Sequence, residues 1–185
     1  MQECHMHIWG DTMNNKTNTL INKLTQDIIE LYDIKIPINN INEVAKKLGG
    51  TIEETTISSD AGIKKWNDGF IIFVPLSLSI ERKRFAIAQE LGHLFLHMGY
   101  MINTKLWNKQ KNMTFYKSKH PLEEYQANEF ASALLMPKNE YKKIMNQCTT
   151  GNKVDTRKIA EYFGVSVSMA SNRGKHLGYL QTFVG

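Results

Sequence analysis

Cysteine is scarce. Cys4 and Cys148 are the only two, far apart and without a C-x-x-C partner, which excludes both a disulfide framework and a cysteine zinc site. Long hydrophobic runs are missing too: the longest nearly unbroken apolar stretch, Phe70 to Leu76, falls far short of the ~20 residues that cross a bilayer, so no membrane partner is expected. Met1 to Met13 carries Glu3, His5, His7 and Asp11 and has no hydrophobic segment of a secretory leader, so the expected compartment is cytoplasmic. There is neither an internal repeat nor a low-complexity tract. What remains is ordinary for a folded chain: 185 residues, 42% hydrophobic and 22% charged, enough for one domain with a real core.

Lys and Arg total 23 against 18 acidic residues, a net charge of +5 that permits contact with nucleic acid or an acidic protein segment and demands neither. Between Lys105 and His120 stand five lysines (Lys105, Lys109, Lys111, Lys117, Lys119) and no carboxylate, with Trp107, Phe115 and Tyr116 interleaved. Rings among lysines suit a single-strand groove on which bases stack. A solvated, mobile loop is the simpler expectation for a run of like charge.

Apolar spacing predicts an amphipathic helix over Asn18 to Tyr32, and Asn39 or Asn40 caps a short helix ending at Leu48 before Gly49-Gly50. Thr51 to Ser58 and Gly69 to Pro75 are rich in β-branched and aromatic residues, with Asn67-Asp68-Gly69 as a turn signal, so a small antiparallel sheet is expected. Ser79 caps a long central helix, Glu81 to Met98. Pro121 opens another that Pro137 stops, a charged helix covers Asn139 to Gln147, and two short helices follow at Thr156 to Phe163 and Ser168 to His176. The expected division is an extension over 1–13, one α+β domain over 14–147, and a helical pair over 148–185 packed on it or continuing it.

On the central helix Gln89, Glu90, His93 and His97 share one sector of ~100°, opposite Phe85, Ala88, Leu91, Leu94 and Phe95. Gly92 lies beside the polar stripe. Glycine costs a helix interior ~1 kcal/mol relative to alanine, so something is expected to approach closely there. The stripe differs by one residue from H-E-x-x-H, in which two histidines one turn apart hold zinc and the glutamate serves a bound water as general base; Gln89 stands where the first histidine would be. On the next helix Glu124, Ala127, Asn128, Ala131 and Leu135 form a stripe whose small residues admit a neighbouring helix, aiming Glu124 at it. A carboxylate brought by a second helix to a histidine face is how a three-ligand zinc site is completed.

Arg84-Phe85-Ala86-Ile87-Ala88, Glu90-Leu91-Gly92-His93 and His97, then Glu124-Tyr125-Gln126-Ala127-Asn128-Glu129-Phe130-Ala131 leading into Leu134-Leu135-Met136-Pro137, resemble the ImmA/IrrE family of metallopeptidase-like proteins. The resemblance extends through Ile159 to Ser166, Arg173 and Leu177-Gly178. It implies a zincin-like fold, a cytoplasmic bacterial or phage setting, and a zinc-dependent endopeptidase acting on a protein such as a helix-turn-helix transcriptional repressor. By position His93 is then the second histidine ligand, Glu124 the third ligand and Glu90 the base.

Gln89 departs from that pattern, because a neutral amide is a poor partner for zinc beside an imidazole. Three outcomes stand: weak zinc on Gln89, His93 and Glu124; substitution by His97, with Glu90 and His93 as an E-x-x-H pair; or a metal-free pseudo-peptidase that binds a regulatory protein. His97 is expected to support or pack rather than ligate. Cys4, His5 and His7 fall in the extension and are not expected to bind metal. His120 and His176 read as lone surface residues. Ile159 to His176 has the outline of a helix-turn-helix, with Ser168, Asn172, Arg173 and Lys175 free for DNA, although a structural role for the pair is the simpler expectation. Gly69 to Pro75 is expected to be an exposed edge strand on which a bound peptide adds by strand pairing.

Overall fold

A computed structural model describes residues 5–110, 114–116 and 120–180, with side chains described for 16–110 and 120–180. The first helix, α1 (His5–Leu31), begins well before the expected Asn18 and runs into the stretch assigned to an extension. The side chains of Cys4, His5 and His7 lie outside the described residues. Helix α2 (Ile41–Lys47) is capped by Asn40, whose side chain accepts from the Asn42 amide at 3.0 Å.

Three strands follow, β1 (Gly50–Thr55), β2 (Gly62–Trp66) and β3 (Gly69–Pro75). Asn67, in the left-handed region at φ 51°, starts the tight turn between β2 and β3. A fourth strand, β4 (Thr114–Tyr116), completes a sheet of order β1-β3-β2-β4. Two expectations are corrected here. The sheet is mixed, because β1 pairs parallel to β3. And β3 is no edge: β1 covers one side and β2 the other, so no peptide can add to it. β2 was missed from sequence because its lysines interrupt the apolar pattern.

Helix α3 (Ile80–Leu96) packs on this sheet, its N-terminus capped by Ser79. The lysine-rich segment is not one solvated loop. It contains α4 (Thr104–Lys109), whose Trp107 is buried with its ring 4.8 Å from that of Tyr100, and β4, paired to β2. Trp107 is therefore a core residue and offers no face to a base. Lys111, Lys117 and Lys119 lie outside the described residues.

Helix α5 (Pro121–Leu135), with proline in its first turn, lies against both α3 and α1, and Pro137 separates it from α6 (Lys138–Gln147). The linker forms a small hairpin, β5 (Thr149–Thr150) with β6 (Lys153–Val154). Helices α7 (Thr156–Phe163) and α8 (Val167–His176) follow, joined through Gly164 at φ 62°. One continuous core includes Phe70, Leu91, Phe130, Tyr141 and Phe163, so side chains from the sheet, α3, α5, α6 and α7 share a single apolar interior.

The close approach expected at Gly92 is a helix crossing. A Cβ placed there would stand 3.0 Å from the Ala127 Cα and carbonyl oxygen and 3.1 Å from the Phe130 Cβ. Gly92→Ala gains ~1 kcal/mol of helix propensity but forces two backbones apart, and overpacking of that kind typically costs about 1–3 kcal/mol. A net loss of about 1 kcal/mol in urea unfolding is expected; a more stable variant would mean that the crossing yields easily.

Candidate functional site

The α3–α5 crossing brings the two sequence stripes face to face. The polar stripe of α3 points into the protein: Glu90 is 4% exposed and His93 only 1%. From α5, Glu124 reaches them. Its Oε1 lies 3.4 Å from His93 Nε2, and its Oε2 accepts a hydrogen bond from the Gln89 amide nitrogen at 2.9 Å. The imidazole and carboxylate singled out from the sequence therefore meet at the helix crossing, with the glutamine beside them.

One turn on, His97 Nδ1 lies 3.0 Å from His93 Nδ1, and His97 Nε2 lies 3.0 Å from Gln126 Oε1. Gln126 was not picked out from the sequence. The available signal was the i, i+3, i+7 spacing of Glu123, Gln126 and Phe130, a stripe adjoining that of Glu124. Phe130 from that second stripe stacks on Phe95 at 5.8 Å, which turns Gln126 toward the C-terminal end of α3.

Burial governs the charges. It pushes the Glu90 carboxyl up to about 8, with the Glu124 charge adding to the effect, so Glu90 keeps its proton at neutral pH. Its Oε2 is buried without a hydrogen-bond partner among the described residues. Burial and the neighbouring His97 hold His93 down to about 4, against the pull of Glu123. The His93–Glu124 contact is accordingly one between a neutral ring and a carboxyl group at neutral pH, not an ion pair.

Zinc in a catalytic centre takes three protein electron-pair donors and leaves one position open. Here one imidazole nitrogen and one carboxylate converge, and the third place holds an amide that turns an N–H toward that carboxylate. No group of three His, Cys, Asp or Glu side chains among the described residues is placed to hold a metal ion. As arranged, the donor set does not fit a three-ligand zinc centre.

Two sequence expectations fail at the C-terminus. Arg173 is not available to DNA: it is 2% exposed, and its guanidinium donates to Glu129 Oε1 (2.9 Å), Asn22 Oδ1 (2.7 Å) and the Met136 carbonyl (3.1 Å). Nor does His176 stand alone, since its Nε2 lies 3.0 Å from the Asn18 amide nitrogen and 3.2 Å from the Tyr125 hydroxyl. Both tie α8 to α1 and α5. Ser168, Asn172 and Lys175 are exposed as expected, and His120 is an exposed residue at the start of α5.

A model of the Peptidase_M78 family, described as the IrrE N-terminal-like domain, matches residues 45–175. Among solved structures, a Mycobacterium tuberculosis transcriptional regulator superposes with a TM-score of 0.60 at 17% identity, over 88% of this chain and 49% of that one. The chain thus spans about half the length of that regulator, and at this identity the likeness is one of fold. No curated protein matches at a significant level. No helix among the described residues is long and apolar enough to cross a membrane.

Proposed function

Because the chain belongs to the IrrE N-terminal-like family, whose members are typically zinc metallopeptidases, we propose that it is a degenerate member, a pseudo-peptidase that binds a regulatory protein without cleaving it. The observation that carries this reading is the Gln89–Glu124 hydrogen bond, which turns an N–H on the carboxylate where a third metal donor would supply an electron pair. A transcriptional repressor is the proposed partner. The fold shared with a transcriptional regulator supports that choice. No step through zinc is derived, since the donor set does not fit one.

Metal titration of the purified full chain tests the proposal. The parent, dialysed after exposure to zinc chloride, is expected to retain well under one zinc per chain. Gln89→His restores the imidazole and should raise zinc affinity by at least about 100-fold, given that loss of even an indirect support for a ligand typically costs ~10–100-fold. One zinc per parent chain, removed by His93→Ala, would overturn the reading and return the chain to the active peptidases.

A further inference from the structure

The contacts Gln126–His97–His93–Glu124 form an unbroken line across the α3–α5 crossing, and the chemistry of imidazole makes that line directional. A neutral imidazole has one N–H and one electron pair on opposite sides of the ring. Where two such rings meet Nδ1 to Nδ1 at 3.0 Å, one must donate and the other accept. The choice made by one ring therefore fixes the other.

Gln126 presents its amide oxygen to His97 Nε2 at 3.0 Å, and a carbonyl oxygen can only accept. His97 then carries its proton on Nε2 and accepts on Nδ1. His93 must donate from Nδ1, which leaves the electron pair of its Nε2 facing Glu124. The distances agree with that order: the two ring contacts that hold a proton are 3.0 Å, whereas His93 Nε2 stands 3.4 Å from Glu124 Oε1, longer than the about 2.7–2.9 Å of a proton shared between nitrogen and carboxylate. Glu124 does not depend on His93 for a donor, because Gln89 supplies one to its other oxygen.

We infer that Gln126 is a positioning residue: acting through His97, it fixes the tautomer of His93 so that the Nε2 electron pair, not an N–H, faces the Glu124 carboxylate. This goes beyond the proposed binding role and holds whether or not the protein takes a partner. Ligand histidines are generally oriented by a group that accepts from the other ring nitrogen, and here that work is relayed through a second imidazole. Without the amide oxygen, Glu124 would draw the His93 proton to Nε2 and the whole line would reverse.

Long-range 1H–15N spectra of the full chain labelled with 15N-histidine distinguish a protonated from an unprotonated ring nitrogen. The spectra are recorded at about pH 8. The parent and Gln126→Glu, which keeps an acceptor, should both show His93 protonated at Nδ1 and bare at Nε2. Gln126→Lys offers only donors and should exchange the two signals on both rings. Protonated Nε2 on His93 in the parent would overturn the inference without any variant being made. So would an unchanged His93 pattern in folded Gln126→Lys, since a side chain that merely packs would leave the tautomer alone. Neither result bears on zinc stoichiometry, so this inference and the pseudo-peptidase reading fail separately.

Discussion

Arg173→Ala is expected to cost about 3–5 kcal/mol of folding stability, the scale seen when one partner is removed from a buried ion pair. The pair is deep: the side chain of Arg173 is 1% exposed and that of Glu129 4%. Its attraction matters less than what is left behind. Removing the guanidinium leaves the buried Glu129 carboxylate with only the Asn22 amide and the His176 ring beside it, and frees the Met136 carbonyl and the Asn22 oxygen together. Equilibrium unfolding in urea measures the loss. A second variant, Arg173→Met with Glu129→Leu, separates an uncompensated charge from a packing defect, because replacing both ions by apolar groups of similar size is often neutral or stabilising. The double variant should recover most of the loss. A single substitution costing under about 1 kcal/mol would show that water reaches Glu129 and that α8 is held otherwise. DNA affinity, if any were found, should not depend on Arg173 as a direct contact.

Stability should also follow an unusual pH course, and Glu90→Gln should remove half of it. The Glu90 carboxyl is raised from an ordinary 4.5 to about 8 on folding, so its favourable contribution is complete below pH 4.5 and is lost as pH rises toward 8. His93 is lowered from 6.5 to about 4, so its contribution is complete above pH 6.5 and is lost as pH falls toward 4. The two slopes oppose one another between about pH 4.5 and 6.5, giving a plateau with a fall on either side. Ionising Glu90 costs on the order of 5 kcal/mol at the alkaline end, at ~1.4 kcal/mol per pH unit. Glu90→Gln keeps the shape and cannot ionise. Its stability relative to the parent should climb steadily from pH 5 to 8 while the acid-side fall persists. Parallel curves for parent and variant across that range would mean that Glu90 is ionised in the folded protein, which would also restore it as a base.

Much of the scaffold was legible because the signals are local. Asn40, Ser79 and Pro121 mark helix starts through bonds or ring geometry that span three residues or fewer, and each marks one in the structure. The site followed from the same kind of evidence. Helical spacing put Gln89, Glu90 and His93 on one face, and small residues at 92 and 127 announced a helix crossing, which is where Glu124 meets His93. Strand pairing was less legible. The β1–β3 contact is parallel and spans an intervening strand, and nothing in six residues of β-branched pattern tells a strand which partner or direction to take.

What the sequence by itself determined is therefore the capped helix starts, the family resemblance and the Gln89, Glu90, His93 spacing, since all three are written in residue type and short spacing. Tertiary structure alone decided the roles of Arg173 and Gln126. An arginine in a short helix reads as a surface cation until α1 and α5 surround it with a carboxylate, an amide and a carbonyl. A glutamine two positions after Glu124 acquires a role only when the crossing of α3 and α5 sets it against His97. Both depend on side chains from separate elements meeting within hydrogen-bond distance, and such meetings are fixed by packing rather than by any periodicity along the chain.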